Sequence, residues 1–511
     1  MPTFAAVDIG SNSVRLKIAE ADRDRLKTIH QDREVTRLGE SVFATGSLDP
    51  QAMAHTIQVL QRFLRAIQTY AVDRTRVVAT SALRDAKNAR AFIDWVGRAT
   101  GWRVEVISGL EEGRLIHLGI VSNARIGNKR VLLVDLGGGS CELTLSEEGR
   151  IAQMISLPIG AVRLTQTFLH HDPPGENELE QMRGLIEREI ARVQQQIIDA
   201  RVQAVLATSG TPAALSGLYI ARVGGADESK PHAVPQPAVS KILKELSRRS
   251  LAQRRALPGI GPKRAEIIIA GAMVFSELLE MCRLRGFRYL PLGLRDGLLA
   301  QMVADYNAKS ALRERVESER QDALVGAANH YGVDLVFVRR IRDLTLRLFR
   351  RLQPVHQLPA HYMDWLEAAA MLHDVGSYIN RSGRRRHTYY VIAHSEIFGY
   401  TPVQRLIIAA IARYVGKSLP SPSDRNIRIL PSADQNHVPK AVALLRLARA
   451  IDQGRRGAVR EAQIKIGSDE RVTIRLVPST AEGVELELWA VEQEKDYFRD
   501  VFGRELLVEA A

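Results

Sequence analysis

The sequence predicts an α/β protein with two similar lobes, followed by a helical region and a small α+β domain. A strand-turn-strand pattern occurs twice, at residues 7–18 and 134–145. Strands and helices alternate through roughly the first 300 residues, and apolar residues at helical spacing dominate after about residue 321. The 511 residues also exceed the roughly 250–300 at which a single core stops growing, so several domains are expected.

The two repeated segments match at an aspartate (Asp8 and Asp135), at the first glycine of the turn and at its final serine. Each turn offers backbone N–H groups, small hydroxyls and one carboxylate. A single copy would be an ordinary hairpin. Two such turns that face each other would form a clamp for phosphate groups and a divalent metal.

The domain bounds follow changes in this pattern. A long polar helix is predicted at about 176–199 in the second lobe, and another at 301–320 would lead to the helical region. Alternating segments at 472–476 and 484–488 predict two strands in the tail. The predicted domains are 1–125, 126–305, 306–457 and 458–511.

The composition is ordinary for a globular protein, with 45% hydrophobic and 25% charged residues, but the net charge of +13 is not. It indicates an anionic partner, such as nucleic acid, an acidic membrane surface or a polyanionic small substrate. The two cysteines, Cys141 and Cys282, argue against a disulfide framework. No leader and no apolar run of ~18 residues is visible, so a cytoplasmic location without a membrane span is expected.

Glu112 is the first candidate for chemistry. Ser108 and Glu111 have the spacing of a capping box, which gives Glu111 a structural role at a helix start. Glu112 is left beside Gly113, where its carboxylate can orient and deprotonate a water. The alternative is that both glutamates only stabilise the positive end of the helix.

Two loops that follow strands are candidates for anion binding. Arg84 lies between a strand and a helix for which Asn88 is the predicted N-cap, and its guanidinium suits phosphate or, equally, a surface salt bridge. After the strand at 204–207, Thr211 as N-cap and Pro212 as first helical residue predict a helix start, which is itself an anion site.

Two further patterns each suggest a function that we do not favour. Residues 257–265 resemble the hairpin of a helix-hairpin-helix DNA-binding module, but we favour a loop before a buried helix at 267–269. His373 and Asp374 form the adjacent pair of HD metal phosphohydrolases, and Asp452 suits the later aspartate. Because Phe337 stands where an earlier His is expected, this site is predicted to be degenerate.

Five motifs in order resemble the exopolyphosphatase / guanosine pentaphosphate phosphohydrolase (Ppx/GppA) family, of the actin–sugar kinase–Hsp70 superfold, in its long form. They are DIGSNS at 8–13, TSALRD at 80–85, ISGLEE at 107–112, DLGGGS at 135–140 with Glu142, and SGT at 209–211. The resemblance implies two actin-like lobes, an all-α HD-like domain and the small tail. The sequence departs from the family at residues 290–292, where a Ser-Asp-Gly-like run is usual.

The resemblance also implies an activity and its residues. It implies hydrolysis of the terminal phosphoanhydride of polyphosphate, with Glu112 activating water and Asp135, Glu142 and nearby Asp8 at Mg²⁺-binding positions. A monovalent cation is a further candidate. The implied phosphate-binding residues are Asn12, Ser13, Arg84, Gly137, Gly138, Gly139, Ser140, Ser209, Gly210 and Thr211.

Other readings stay open at this stage. Hydrolysis of guanosine pentaphosphate (pppGpp) uses the same chemistry, whereas a non-enzymatic nucleotide or nucleic-acid binder would not need Glu112. A kinase of the actin fold is a weaker alternative. The family's architecture suggests a homodimer, and no nucleic-acid partner is expected.

Overall fold

The computed structural model describes residues 1–124, 129–223, 233–307, 310–467, 471–479 and 483–511. The chain divides into two compact units, Met1–Glu317 and Ser318–Ala511. The predicted boundary at 125/126 falls outside the described residues, and those at 305/306 and 457/458 stay predictions. No helix within the described ranges is both long and apolar enough to cross a membrane.

The first unit contains two α/β lobes. The elements of the first lobe are β1 (Thr3–Ile9), β2 (Val14–Asp22), β3 (Arg25–Glu34), α1 (Leu38–Thr45), α2 (Pro50–Thr69), β4 (Arg74–Ala79), α3 (Ser81–Asp85), α4 (Ala89–Thr100), β5 (Val104–Val106) and α5 (Gly109–Asn123). Those of the second are β6 (Val131–Leu136), β7 (Cys141–Glu147), β8 (Arg150–Leu157), α6 (Ala161–Phe168), α7 (Glu176–Asp199), β9 (Ala204–Thr208), α8 (Gly210–Val223), β10 (Ala233–Pro235), α9 (Gln236–Arg248), α10 (Leu251–Arg255), α11 (Ile268–Met281), β11 (Gly286–Tyr289) and α12 (Leu294–Tyr306).

The two sheets share one topology, which confirms the predicted duplication. The strand order is β3-β2-β1-β4-β5 in the first lobe and β8-β7-β6-β9-β11 in the second, where β10 adds an edge strand. In both sheets the first three strands form an antiparallel meander, and the central strand then pairs in parallel with the next one. The turn between β1 and β2 and the turn between β6 and β7 therefore lie at equivalent ends of the strands in the two sheets.

A shared core joins the two lobes. Apolar residues of β1 and β6 pack with those of α5 and α12 into one cluster. The two helices approach closely at Gly119 and Gly297, where an added Cβ on Gly297 would overlap the main chain of Leu115. This contact positions the first turn of α5, which carries Glu112.

The second unit is mainly helical and ends in a small sheet. After α13 (Ala311–His330), in which the boundary between the units falls, its elements are α14 (Leu335–Arg351), α15 (Gln353–His356), α16 (Tyr362–Leu372), α17 (Arg384–His394), α18 (Pro402–Arg413), α19 (Arg425–Arg428), α20 (Ser432–Ile451), β12 (Val459–Ile466), β13 (Arg471–Pro478), α21 (Glu485–Glu492), α22 (Lys495–Phe502) and β14 (Glu505–Ala510). The unit thus consists of a helical region followed by a region that combines strands and helices.

Two predicted elements were wrong. The segment at 484–488 is the start of α21 and not a strand, because Val484, Glu487 and Val491 are buried at helical spacing. The third strand of the small sheet is β14 instead. The predicted helix at 301–320 is two helices, since α12 ends at Tyr306 and the Ser310 hydroxyl accepts a hydrogen bond from Arg313 N–H at the start of α13.

One predicted cap is present in position only, and another was wrong. Asn88 is the N-cap residue of α4, but its side chain bonds both backbone groups of Leu48, at 2.8 and 3.0 Å, and makes no capping hydrogen bond. Helix α8 begins at Gly210, so Thr211 lies inside its first turn.

The glycine contact between α5 and α12 gives a stability prediction. Gly297→Ala should lower the free energy of unfolding by at least about 2 kcal/mol, because the new methyl group meets main chain that cannot yield. Gly184→Ala in α7 is the matched control: an added Cβ there has no atom within 4 Å, so the better helix former should stabilise by about 0.5–1 kcal/mol. Urea unfolding measures both, and a Gly297→Ala protein as stable as the parent would contradict the contact.

Candidate active site

The two repeated turns have the same structure. Residues 10–13 join β1 to β2, and residues 137–140 join β6 to β7. The first glycine N–H donates to the final serine carbonyl in each turn, at 3.2 Å for Gly10 and 3.0 Å for Gly137. Gly138 lies against Ser11 and Asn12 of the opposite turn, where a Cβ would be 2.9 Å from the Ser11 Cβ. The predicted meeting of the two turns is therefore present.

A row of polar residues crosses the second sheet below its turn. Thr208, Asp135, Glu142 and Ser156 are direct neighbours on four adjacent strands. The hydroxyls of Thr208 and Ser209 donate to Asp135 Oδ1, the latter at 2.7 Å, and Ser156 donates to Glu142 Oε1 at 2.8 Å. Ser209 has φ of +78°, which is unusual for a residue with a side chain and places its hydroxyl on this row.

The equivalent row of the first sheet has a different charge. Asp8 is the cross-strand neighbour of Arg15, and Arg15 is the cross-strand neighbour of Arg33. An acid therefore faces an acid in the second lobe, whereas an acid faces a base in the first. One side of the site is suited to a cation and the other to an anion.

A cavity of about 240 Å³ lies between the two turns. Ten predicted site residues line it, namely Asp8, Asn12, Ser13, Glu112, Asp135, Gly137, Gly138, Ser140, Ser209 and Gly210. The segment 290–292, which departs from the family, contributes Pro291 and Leu292 to the same wall.

Four predicted residues lie outside this lining. Glu142 is directly behind it, in the polar row. Arg84 donates to Glu112 Oε2 at 3.2 Å and to Ser140 Oγ at 3.3 Å. Gly139 packs against Ser81, while Thr211 is fully buried against Gly271. Their roles at phosphate stay predictions, and the positions of Gly139 and Thr211 suit packing better than ligand contact.

Glu112 follows Glu111, whose backbone N–H is capped by Ser108 at the start of α5. The Ser108 hydroxyl accepts a hydrogen bond from Glu111 N–H at 3.1 Å, as the capping-box spacing predicts. The Glu111 side chain does not complete the box in this structure: it pairs with Arg114 at 2.9 Å. Glu112 is 7% exposed, and it lines the cavity.

Three carboxylates of the site lie close enough to share one cation. One oxygen each from Glu112, Asp135 and Glu142 lies within 4.8 Å of the other two. Burial, followed by the charge of Glu142, raises the pKa of Glu112 well above its ordinary value. Burial and the charge of Asp135 raise the pKa of Glu142 to about 7. Arg84, 3.2 Å from Glu112, is the basic group in direct contact with this cluster among the contacts described.

This cluster fits a divalent metal ion. Glu142 Oε2 is buried and has no hydrogen-bond partner within the described residues, and carboxylate oxygens are the ligands that Mg²⁺ prefers. Glu112 belongs to the compact group, whereas the sequence suggested Asp8 as the third member. Burial raises the pKa of Asp8, and nearby Arg15 opposes that shift.

Four arginines also line the cavity and are not among the predicted site residues: Arg15, Arg33, Arg264 and Arg295. Burial, with repulsion from Arg15 and Arg33, lowers the pKa of Arg264 to about 9. Burial and Arg15 lower the pKa of Arg295 to about 10. Arg15 was recoverable from its register opposite Asp8, but Arg264 lies in the 257–265 loop and only the fold brings it here.

The helical region has no comparable acidic group among its described residues. Phe337 is fully buried with its ring 5.7 Å from that of His373. Arg455 pairs with Asp374 at 2.7 Å, and Arg340 pairs with Asp452 at 2.9 Å. Both aspartates of the HD pattern are therefore paired with guanidinium groups, and the degenerate metal site stays a prediction. The HD assignment itself stays a prediction.

Comparison with known proteins identifies the family of the chain. The duplicated lobes have the α/β architecture of the actin-like ATPase fold. A profile of the Ppx/GppA phosphatase family matches residues 17–306, and a profile of Ppx/GppA phosphatase domain III matches residues 320–495. The chain belongs to the Ppx/GppA phosphatase family, which confirms the predicted family and the prediction of a hydrolase.

Solved structures agree with this assignment. A Ppx/GppA family member from Aquifex aeolicus is 32% identical, with a TM-score of 0.52, over 60% of this chain and 99% of its own. An exopolyphosphatase-like protein is 29% identical, with a TM-score of 0.55, over 60% and 98%. An exopolyphosphatase from Cytophaga hutchinsonii, at 24% identity and a TM-score of 0.55 over 59% and 97%, shares the fold.

The carboxylate cluster predicts stabilisation by metal. Mg²⁺ at about 100 times its dissociation constant should stabilise the protein by about 2.7 kcal/mol, because it binds the folded cluster and not the unfolded chain. Thermal unfolding with Mg²⁺ and with EDTA measures the effect. Asp135→Asn should abolish it, whereas Glu147→Gln, on the exposed end of β7, should retain it. An equal rise in the Asp135→Asn protein would place the metal elsewhere.

Proposed function

We propose that the protein is an exopolyphosphatase, which hydrolyses the terminal phosphoanhydride bond of inorganic polyphosphate and releases orthophosphate. The observation that carries the proposal is the position of Glu112. Its carboxylate lies in a cavity between the two repeated turns, beside Arg84 and within 4.8 Å of two further carboxylates. Phosphoryl transfer needs mainly such positioning and charge neutralisation from a protein.

The residues divide the work as follows. Asp135 and Glu142 would hold Mg²⁺, which when bound neutralises phosphate charge. The turns at 10–13 and 137–140, with Arg84, orient the terminal phosphate. Glu112 accepts a proton from a water molecule. The oxygen of that water bonds to the terminal phosphorus while the bridging P–O bond breaks. The products are orthophosphate and a chain one phosphate shorter.

Glu112 suits the role of base better than its two neighbours. Glu142 lies behind the cavity lining, and Asp135 accepts hydrogen bonds from Thr208 and Ser209. Glu112 lines the cavity, so its carboxylate faces the space that a water and the substrate would share. Arg84 keeps one of its oxygens fixed.

The arginine-lined wall supports a polyanionic substrate. Four guanidinium groups face the same space as the turns, so several phosphates can be neutralised beyond the one that reacts. pppGpp ends in the same phosphoanhydride and is the second candidate, because the family that the chain belongs to is named for both activities. A cytoplasmic location, a homodimer and the lack of a nucleic-acid partner stay predictions.

The direct test replaces Glu112. Glu112→Gln should lower the rate of phosphate release from polyphosphate by about 10²–10⁴-fold, because it removes the general base and keeps the size of the side chain. Polyphosphate binding should change little. Phosphate release from long polyphosphate, short polyphosphate and pppGpp with Mg²⁺ gives the rates and separates the two candidates.

The control for this test is Glu147→Gln, which removes one carboxylate of the same lobe at an exposed site. It should keep the full rate. Full activity in the Glu112→Gln protein would refute the role of Glu112.

A further inference from the structure

Helix α6 supports the second glycine-rich turn from behind. The N–H groups of Ala161, Val162 and Arg163 donate to the carbonyls of Gly137 and Gly138, at 3.0, 2.8 and 3.0 Å. The first turn of α6 thereby binds the carbonyl side of the turn. Its position depends on what holds α6 against the first lobe.

The Arg163 side chain makes that connection. Its Nε donates to the Gly139 carbonyl at 2.8 Å, and its Nη2 pairs with Asp85 Oδ2 of the first lobe at 2.5 Å. The guanidinium also lies over the Phe43 ring of α1, 4.2 Å from its centroid. One side chain therefore joins the turn of one lobe to two elements of the other.

These contacts close a circuit that includes Glu112. Asp85 directly follows Arg84, which donates to Glu112 Oε2, to the Ile107 carbonyl and to Ser140 Oγ. Of these two consecutive residues of the first lobe, Arg84 thus contacts Ser140 directly, and Asp85 is linked to Gly139 through Arg163. The circuit fixes the base, its arginine and the turn relative to one another.

We propose that Arg163, with Asp85, is a positioning residue for phosphoanhydride hydrolysis, which holds Arg84 and the second turn in register across the cleft. This inference rests on the proposed function. Arg163 does not line the cavity, so it acts through Arg84 and the turn and not on substrate.

Loss of the Arg163–Asp85 ion pair should affect the rate of hydrolysis more than the stability of the fold. The Arg163 and Asp85 side chains are 26% and 39% exposed, and partly exposed ion pairs add little to stability. A small shift of the turn relative to Glu112 is costly, since misplacement of about 1 Å can lower a rate by about 100-fold. Loss of this pair should therefore appear in kcat and not in stability.

The test compares variants on polyphosphate with Mg²⁺. Arg163→Gln and Asp85→Asn should each lower kcat by about 10- to 100-fold, with KM within about threefold and an unchanged unfolding midpoint. Arg163→Lys, which keeps the charge and one contact, should recover part of the rate. The double variant should be no slower than the slower single one, because both changes break the same link.

Arg183→Gln is the matched control. Arg183 pairs with Glu277 at 3.0 Å within the second lobe, away from the cleft, so its loss should leave kcat unchanged. Unchanged kcat in Arg163→Gln, additive losses in the double variant, or a loss that follows the folded fraction would each overturn the inference.

Glu112→Gln, measured alongside, keeps the two proposals distinguishable. If Glu112→Gln is inactive and Arg163→Gln is fully active, only the positioning role fails. If Glu112→Gln keeps its activity, the proposed role of Glu112 fails, and with it the reason for a positioning contact.

Discussion

Three carboxylates that are buried within 4.8 Å of one another cannot all stay ionised without a cation, and in its absence at least one of them binds a proton. In Glu112, Asp135 and Glu142, like-charge repulsion adds to the cost of burial, and it raises the pKa of both glutamates. The fold tolerates this cost because the three side chains come from rigid elements: two central strands and the first turn of a buried helix. A divalent ion bound at such a site would relieve the repulsion between the carboxylates.

The duplication explains how that charge is balanced. Both sheets use the same ladder and the same four-residue turn, but the residue opposite the aspartate is Glu142 in one lobe and Arg15 in the other. The acidic row suits a metal, and the row with Arg15 and Arg33 suits the anion that the metal accompanies. A single backbone arrangement thus gives two complementary halves of one site, and neither half would be complete alone.

The sequence predicted the features that local pattern determines. The repeated hairpins, the alternation of strands and helices, and Glu112 beside a capped helix start all follow from neighbouring residues. The tail segment at 484–488 was misassigned because a Val-Glu-Leu-Glu-Leu pattern fits a strand or a helix, and only packing decides. Arg264 lies in the 257–265 segment, whose local pattern suggested a DNA-binding hairpin, and no local pattern marks Arg295 as a cavity residue. They reach the cavity through the path of the chain in the second lobe.

The glycines of the second turn have a physical role in the contact between the lobes. A side chain on Gly139 would collide with Ser81 and Phe43 of the first lobe, and one on Gly138 would press on Ser11. The Ser11 and Ser81 hydroxyls share a hydrogen bond of 2.7 Å directly beside this contact. These glycines let the main chains of the two lobes meet, which is what brings carboxylates of separate lobes to one point. The close packing at these glycines therefore helps to assemble the cavity from both lobes.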